Sequence, residues 1–401
     1  MHIAYLGPEI PALSATFVYR EVFALRARGH RVDVFTVRSP SARATDIDLD
    51  DVDVLYGPVG QQITGSLHYA SAHPQSAART LFRAADDVLH GLLESRKALG
   101  LVWQAAAGLR LAKRLETAGV EHLHVHFAHF PAQIAMYASI ASGIPFSVMG
   151  HANDLYENAL LLKKKADRSV GFPTISRFNV DLLASMGLPT DKLSVVRCGL
   201  PDLPPELPPY TPLRKTPRIG SLGRLVEKKG MLDLIDAFAL YRTGAPGATL
   251  EIVGEGPERD AMETRIEQHG LHNSITMLGA MSNSQVQQWL GQLDLFVLAC
   301  RADRQGDKDG IPVALMEAMS HGIPVVSTRL TGIPELIIDN ETGYLSAPAA
   351  PESLAACMDR SLTDEPNRLR VRKAAHDHLH QEFSMDVNLN RLEAIFEGAA
   401  S

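Results

Sequence analysis

Cysteine is scarce in this sequence, and a leader-like start and internal repeats are missing from it. The three cysteines, Cys198, Cys300 and Cys357, are far apart, so they predict neither a disulfide framework nor a CxxC metal site. The start, MHIAYLGPEIPALSATF, has no basic region before an apolar stretch, so we expect no signal peptide. No repeat of solenoid period is present, which argues against a repeat protein.

The charge balance also excludes a class of protein. The chain has 39 basic and 46 acidic residues, and a net charge of −7 disfavours a general nucleic-acid binder. Residues 1–200 carry 20 Lys and Arg against 18 Asp and Glu, whereas residues 201–401 carry 19 against 28. The length of 401 residues predicts two domains of about 200 residues each. With 45% hydrophobic and 21% charged residues, disorder is excluded as a description of the whole chain.

One segment, residues 130–150, has no charged residue and is long enough to cross a bilayer. Pro131, Gly143 and Pro145 interrupt it, so the segment predicts a helix, a turn and a strand instead. We therefore expect a soluble protein whose membrane contact is at most peripheral.

Short apolar runs recur along the chain, and most are followed by a glycine and then a helical pattern. Because the runs lack strict alternation, they predict strands buried on both faces of parallel sheets. Strands that alternate with helices are typical of doubly wound α/β domains, which bind ligands at the carboxyl ends of their strands. The runs are His2–Leu6, Arg31–Val37, Leu123–Phe127, Phe146–Met149, Leu193–Val196, Arg218–Leu222, Leu250–Val253, Ile275–Leu278, Leu293–Ala299, Pro324–Ser327 and Tyr344–Ser346.

A proline-rich segment, residues 201–217, marks the clearest boundary because proline stiffens a linker and forbids helix. The predicted organisation is a domain at 1–200, the linker at 201–217, a second domain at 218–384 and a final helix at 385–401. Residues 77–118 are predicted to be mostly helical, with apolar residues at helical spacing.

The first candidate site is Gly223-Arg224-Leu225-Val226-Glu227-Lys228-Lys229-Gly230, in which a glycine turn and cations lie between a strand and a helix. A helix N-terminus offers free N–H groups and partial positive charge, so this arrangement suits a diphosphate. Arg224 can bind two phosphate oxygens, and Lys229 supplies a compact charge. A solvated basic loop is the alternative.

Two further loops follow strands in the second half. In Gly254-Glu-Gly256-Pro, the glycines permit close approach to a ligand, or they serve a turn with positive φ. Asp309 and Glu317 lie eight residues apart in DGIPVALMEAM, where a loop leads into a helix and both carboxylates can reach one ligand. Glu317 capping or pairing at the surface is the alternative.

In the first half, His151 and Asp154 follow the strand PFSVM and Gly150, so both can face a crevice. A turn stabilised by Asn153 or Asp154 is the alternative. His122, His124 and His126 alternate along a predicted strand and share one face. No matching carboxylate or cysteine cluster is evident, so we expect no metal site.

The order of these motifs resembles the retaining family 4 glycosyltransferases. GRLVEKKG, GEGP, the Asp-x7-Glu segment, GIPVVST and TGIPE carry the resemblance, with PALSATF, HVHF, GHANDLY and VVRCG in the first half. Among the subgroups, the bacterial exopolysaccharide enzymes typified by colanic-acid synthesis are the most similar. The resemblance implies the GT-B architecture, in which two Rossmann-like domains face each other across a cleft and the final helix crosses back to the first domain.

The resemblance also implies roles for individual residues. The second domain would hold a nucleotide sugar and the first an acceptor. Arg224 and Lys229 would hold the diphosphate and Glu317 the ribose, with no metal and no other cofactor. The donor sugar would lie against Asp309, Gly310, Ile311 and, from the first domain, His151. The remaining donor-side residues would be Gly223, Gly254 and Gly256, and those on the acceptor side Gly7, Ser14, Thr16, His126 and Asp154.

The sequence departs from the family pattern at two positions among the residues of the implied site. The family usually has Glu where this chain has Asp309, and relatives often have SETF where this chain has Ser14-Ala15-Thr16-Phe17. For the charged loop Arg301–Asp309, the sequence predicts neither a position in the fold nor a role. These departures leave open a non-catalytic nucleotide-sugar-binding subunit, and an epimerase or a phosphorylase could use the same fold.

A lipid-linked acceptor would place the protein in the cytoplasm, on the inner face of the cell membrane. Arg110, Lys113, Arg114 and Lys163–Lys165 could then face anionic lipid. An ordinary solvated helix face is the alternative.

Overall fold

The computed structural model describes residues 1–12, 15–39, 51–157 and 159–398. The chain divides into two compact units. Unit 1 comprises Met1–Pro201 with Met385–Ser401, and unit 2 comprises Asp202–Ser384.

Unit 1 contains a five-stranded sheet in the order β3-β2-β1-β4-β5, and every pairing in it is parallel. A pair of strands, β6 and β7, continues beside β5 through isolated bridges. The strands are β1 (His2–Gly7), β2 (Arg31–Thr36), β3 (Val52–Val54), β4 (His122–His126), β5 (Phe146–Met149), β6 (Phe172–Thr174) and β7 (Leu193–Val195).

Helices connect these strands, as the alternating pattern predicts. They are α1 (Thr16–Ala27), α2 (Val59–Ala72), α3 (Pro74–Glu94), α4 (Leu101–Ala118), α5 (Phe130–Ser142), α6 (Asn153–Tyr156), α7 (Leu162–Arg168) and α8 (Arg177–Ser185), with 3-10 turns at Arg96–Gly100 and Thr190–Lys192. Residues 130–150 form α5 and β5, which confirms the predicted helix, turn and strand. Among the described residues, no helix has the length and apolar character needed to cross a membrane.

Unit 2 has a six-stranded parallel sheet in the order β10-β9-β8-β11-β12-β13. Its strands are β8 (Arg218–Leu222), β9 (Thr249–Val253), β10 (Ile275–Gly279), β11 (Leu295–Val297), β12 (Val325–Thr328) and β13 (Tyr344–Ser346). Its helices are α9 (Met231–Arg242), α10 (Arg259–Gln268), α11 (Asn283–Leu290), α12 (Val313–Ser320), α13 (Ile333–Leu336), α14 (Pro351–Thr363) and α15 (Glu365–His378), with a 3-10 turn at Glu227–Lys229 and a π-helical turn at Leu379–Phe383. The predicted doubly wound α/β class is confirmed.

The last helix, α16 (Met385–Gly398), belongs to unit 1. Its Leu389, Leu392 and Phe396 are buried in one hydrophobic cluster with residues of β1 and β2. Arg28 on the end of α1 forms an ion pair with Glu393 at 2.7 Å. Apolar burial therefore fixes this helix, with an ion pair at its edge.

Helices α2 and α3 turn their large apolar side chains away from the core and bury their small and polar ones. Toward the core α3 buries Ala77, Thr80, Ala84, Asp87 and Gly91, and α2 buries Gln62, Ser66 and Tyr69. Their large apolar side chains face outward instead, with Phe82 exposed by 74% and Leu93 by 88%. Helical spacing predicts such an apolar stripe correctly, but it does not show which face the core takes.

Most of the basic residues proposed to meet lipid are engaged within unit 1. Lys165 is fully buried and donates to the Leu160 carbonyl at 2.6 Å, so the prediction that it faces lipid is wrong. Lys164 pairs with the buried Asp87 at 2.9 Å, and Arg114 pairs with Asp53 at 2.6 Å. Burial lowers the pKa of Lys165 to about 7.

Candidate functional site

The order of strands gives unit 2 a candidate binding point between β8 and β11, as it gives unit 1 one between β1 and β4. β8 and β11 are neighbours at the point where the sheet changes direction, with β9 beyond one and β12 beyond the other. In open α/β sheets, ligands bind at the carboxyl ends of the strands at such a point. Gly223 follows β8 directly, and the chain after β11 leads through Cys300 to Asp309.

Lys229 and Asp309 meet at this edge of the sheet. Lys229 ends the 3-10 turn Glu227–Lys229, and Gly230, with φ of 64°, turns the chain into α9. The Lys229 Nζ lies 2.8 Å from Asp309 Oδ2, and the Cys300 Sγ donates to the same oxygen at 3.4 Å. Only 15% and 13% of the Lys229 and Asp309 side chains are exposed, so the pair is largely shielded from water.

The two groups hold each other in the charged state. Burial alone would lower the pKa of Lys229, but the Asp309 carboxylate raises it above its usual value. Burial would likewise raise the pKa of Asp309, but Lys229 and then Lys228 lower it. Both groups are therefore ionised at neutral pH, so an anion that enters here meets an ammonium that is already charged.

The charged loop that the sequence does not place is tied to the same turn. Lys228 Nζ lies 2.8 Å from Asp307 Oδ2, and the backbone N–H of Arg301 donates to the Lys228 carbonyl at 3.0 Å. The Arg301 guanidinium lies 3.2 Å from Asp233 on α9. Sequence reasoning missed Asp307, because its contact with Lys228 joins residues that are 79 positions apart.

The glycines of the GEGP loop pack against protein backbone. Gly254 has φ of 138°, and a Cβ there would lie 1.9 Å from the Gly223 carbonyl oxygen. A Cβ on Gly256 would lie 2.4 Å from the Leu225 carbonyl oxygen. The two loops are also joined by the N–H of Leu225, which donates to the Glu255 carbonyl at 2.9 Å. These glycines thus permit contact between two loops, and their approach to a ligand stays a prediction.

The other residues predicted for unit 2 lie in the adjoining loops and in α12. Arg224 is exposed and has no ion-pair partner in the part of the chain that the structure describes. Thr331, with φ of 47°, donates from Oγ1 to the Gly310 carbonyl at 3.0 Å and so secures the loop after Asp309. Ile311 is half-buried, and Glu317 is half-buried in the second turn of α12.

In unit 1, His126 at the end of β4 and His151 after β5 are in direct contact. The His126 Nδ1 lies 3.1 Å from His151 Nε2, and the His126 Nε2 lies 3.1 Å from Glu21 Oε1 on α1. Burial, with a smaller effect from His126, lowers the pKa of His151 well below its usual value. The structure therefore brings together two of the histidines that the sequence singles out.

Asp154 stabilises the turn that carries His151. Its carboxylate accepts hydrogen bonds from the backbone N–H groups of Ala128, His151 and Ala152, at 2.7 to 3.1 Å. Burial raises the pKa of Asp154 although these hydrogen bonds oppose the shift. In this structure Asp154 therefore stabilises a turn, which is the alternative that the sequence analysis left open.

The remaining acceptor-side residues lie near the start of unit 1. Gly7 ends β1, and a Cβ there would lie 2.8 Å from Cδ1 of Ile10. Thr16 is the first residue of α1 and is half-buried. Ser14 lies outside the described residues.

A carboxylate does stand beside the histidines of β4. One ligand atom from each of Glu21, His124 and His126 lies within 4.8 Å of the others, and all three residues are buried. The expectation that no carboxylate matches the histidine row is therefore wrong, and these residues could hold a metal ion. Sequence reasoning missed Glu21, because it lies 105 positions from His126.

Comparison with known sequences matches both units. A model described as Glycosyltransferase Family 4 matches residues 14–202, and one described as Glycosyl transferases group 1 matches residues 208–378. The amylovoran biosynthesis glycosyltransferase AmsK of Erwinia amylovora is 33% identical over 56% of this chain. The match also spans 56% of AmsK, so this chain covers only somewhat over half of that relative's length. The putative colanic acid biosynthesis glycosyltransferase WcaL of Escherichia coli K12 is 28% identical over 99% of this chain and 100% of its own.

Solved structures share the fold over the full length. Anabaena HepE in complex with UDP has a TM-score of 0.74 at 16% identity and covers 99% of this chain and 100% of its own. A glycosyltransferase from Rickettsia africae has a TM-score of 0.71 at 16% identity, with coverage of 100% and 99%. At such identities the likeness shows the fold alone.

Proposed function

The chain belongs to the family 4 glycosyltransferases, with the GT-B fold, and on that premise we propose that it moves a sugar from a nucleoside-diphosphate sugar to a saccharide or lipid-linked saccharide. The names of AmsK and WcaL support a place in the synthesis of an exopolysaccharide, a capsule or a lipopolysaccharide. HepE binds UDP-glucose in another of its crystal structures, which supports a nucleotide sugar as the donor.

The observation that carries the proposal is the shielded cation beside the switch point of the unit 2 sheet. Lys229, exposed by 15% and paired with Asp309, lies two residues before α9, whose N-terminus carries partial positive charge. Arg224 precedes it by five residues and is exposed, so its guanidinium is available to a ligand. A diphosphate is the ligand whose charge and size suit two cations and a helix N-terminus.

In the proposed reaction, the negative charge that develops on the leaving diphosphate lies beside Arg224 and Lys229. When the bond between the anomeric carbon and the phosphate oxygen breaks, negative charge grows on the diphosphate, and Arg224 and Lys229 stabilise it. The acceptor hydroxyl forms the new bond on the same face of the sugar, and the departing phosphate oxygen takes its proton, so configuration is retained. Because the cations neutralise the leaving group, the proposal needs no metal and no other cofactor.

Product analysis distinguishes transfer from the competing activities. The purified chain is incubated with a panel of nucleotide sugars, with and without saccharide and lipid-linked acceptors. We expect a glycosylated product and a released nucleoside diphosphate only when an acceptor is present. An isomerised donor without acceptor would mean an epimerase, sugar phosphate formed with inorganic phosphate would mean a phosphorylase, and donor binding without turnover would mean a non-catalytic subunit.

We further propose that unit 1 docks at the cytoplasmic face of the membrane through the exposed apolar faces of α2 and α3. The exposed apolar face consists of Val59, Ile63 and Leu67 on α2 and Leu81, Phe82, Leu89, Leu92 and Leu93 on α3. Arg83, Arg96 and Lys97 are exposed beside it in the chain. Apolar side chains flanked by cations suit the interface of an anionic bilayer, where a lipid-linked acceptor would reside.

Sedimentation with vesicles of phosphatidylglycerol and phosphatidylcholine tests this surface. We expect the chain to sediment with these vesicles at low salt, and the double variant Phe82→Glu/Leu93→Glu to remain in the supernatant. Leu240→Glu changes an exposed leucine of unit 2 and serves as the matched control, which should still sediment. Failure of the unaltered chain to sediment, or equal sedimentation of the double variant, would contradict docking by this face.

A further inference from the structure

A small cavity lies within unit 2, at the amino ends of its strands. It has a volume of about 180 Å³, and the residues that line it include Asp294 just before β11, Pro324 just before β12, and part of α15. Lys229 and Asp309, in contrast, follow the carboxyl ends of β8 and β11, where open α/β sheets bind their nucleotide ligands. The cavity is therefore separate from the proposed donor site.

Two arginines one helical turn apart on α15 line this cavity. Arg368 is exposed by 3% and Arg372 by 6%. Within the described part of the chain, Arg368 Nε and Nη1 have no hydrogen-bond partner, and neither guanidinium is paired with a carboxylate. Burying a charge without a counterion is costly, and like charges four residues apart on a helix repel each other. The two arginines therefore lack a counterion.

The surrounding contacts hold the guanidinium groups in place without neutralising them. Arg372 Nε donates to the Gly322 carbonyl at 2.6 Å, and its Nη2 donates to the Pro208 carbonyl at 3.0 Å. The centre of the Tyr210 ring lies 5.8 and 5.2 Å from the guanidinium carbons of Arg368 and Arg372. Burial, and then the charge of Arg368, lowers the pKa of Arg372 below its usual value. All of these partners are neutral.

The carboxylate that lines the cavity is already engaged. Asp294 Oδ2 lies 2.9 Å from Arg214 Nη1 and accepts a hydrogen bond from the backbone N–H of Arg218 at 2.8 Å. Arg214 also lines the cavity, so its described lining holds three arginines against this one carboxylate. The excess of two positive charges matches a dianion rather than a single carboxylate.

We propose that this cavity binds a phosphate group, which Arg368 and Arg372 hold. A phosphate dianion neutralises both charges, and each guanidinium can donate to two of its oxygens. Since a water molecule takes up about 30 Å³ of liquid, a cavity of this volume accommodates about six non-hydrogen atoms, which is the size of a phosphate group. The site goes beyond the proposed function, because it lies outside the donor site and takes no part in sugar transfer.

Calorimetric titration of the full-length chain at about pH 8 tests the site, with inorganic phosphate, glycerol 3-phosphate and acetate at equal ionic strength. Arg224→Ala is titrated in parallel, because it weakens the proposed diphosphate site. In this variant we expect one phosphate or one glycerol 3-phosphate to bind per chain, and acetate not to bind. Tighter binding of glycerol 3-phosphate would identify a phosphate monoester as the ligand, and tighter binding of phosphate the free ion. Either result supports the site.

Arg368→Met removes the charge and keeps an apolar stem of similar length. Because the Arg368 guanidinium makes no hydrogen bond within the described residues, this variant should fold. Phosphate should bind it about tenfold more weakly or worse, the usual loss with a hydrogen bond to a charged group. Arg370→Gln is the matched control, since Arg370 is exposed on the same helix and does not line the cavity. Its affinity for phosphate should be unchanged.

Thermal unfolding gives a second readout. A ligand that binds the native state raises its stability, so phosphate should raise the unfolding temperature of the unaltered chain and of Arg224→Ala above the value in chloride. Arg368→Met should be at least as stable as the unaltered chain in chloride, since it lacks the unpaired charge, and it should not respond to phosphate.

Three results would overturn the proposal. The first is that neither phosphate nor glycerol 3-phosphate binds or stabilises the chain, which would mean that the cavity holds water alone. The second is that acetate binds as tightly as phosphate. The third is that folded Arg368→Met binds phosphate as the unaltered chain does, which would leave Arg368 only the packing of its stem. None of these results bears on sugar transfer, so the site and the proposed function fail separately.

Discussion

Replacement of Lys229 by Ala should lower the rate of sugar transfer by about a hundredfold or more, the usual loss when one preorganised group that stabilises transition-state charge is removed. Arg224→Ala should act in the same direction. Arg224 is exposed, so this variant should also keep the thermal stability of the unaltered chain. Steady-state transfer rates at saturating acceptor, with a thermal unfolding curve for each variant, measure both effects.

Two companion variants make the result specific. Lys229→Ala leaves Asp309 buried without its principal partner, so Lys229→Ala/Asp309→Asn removes that unpaired charge and should remain as inactive. Lys228→Ala is the neighbouring control, because Lys228 pairs most closely with Asp307, at 2.8 Å, and lies farther from Asp309, at 3.7 Å. It should retain far more activity than Lys229→Ala. Wild-type rates in both Lys229→Ala and Arg224→Ala would refute the phosphate-binding role.

Gly254→Ala should destabilise unit 2 by about 3 kcal/mol or more, since the new methyl group meets backbone and the conformation itself is strained. Its Cβ would lie 1.9 Å from the Gly223 carbonyl oxygen, at φ of 138°. Chemical denaturation, followed by circular dichroism, measures the change in the free energy of unfolding.

Gly270→Ala provides the control for strain alone. Gly270 also has positive φ, 65°, but a Cβ there would meet nothing within 4 Å. This variant should cost about 1 kcal/mol, the penalty of the left-handed conformation without a clash. Equal destabilisation by the two variants would show that the contact between the Gly223 and Gly254 loops is not what requires a glycine.

The sequence predicts the sheets well because their signal is local. All six strands of unit 2 lie within or next to a predicted run, and three of them, β11, β12 and β13, are buried throughout. The strands missed in unit 1, Val52–Val54 and Phe172–Thr174, are interrupted by Asp53 and Pro173, so neither forms a continuous apolar run. The parallel pairings follow from alternation with helices, whereas the strand order is known only from the structure.

In the candidate site, too, the sequence predicts the local motifs but not the contacts between residues far apart in the chain. The basic turn at Lys229 and the loop at Asp309 are visible as motifs, but their 2.8 Å contact joins residues 80 positions apart, and no spacing rule predicts it. The glycines of GEGP show that the backbone is approached closely, yet only the structure shows that the neighbour is Gly223. Likewise, α3 shows its apolar stripe in sequence, while its small residues, which face the core, decide that the stripe is exposed.

Calorimetric titration of the chain with UDP, GDP, ADP and TDP and with their sugars tests the central claim most directly. The account predicts a stoichiometric association with at least one nucleoside diphosphate, and weaker association in Arg224→Ala. No heat of binding with any of these ligands, from a chain that unfolds cooperatively, would contradict it.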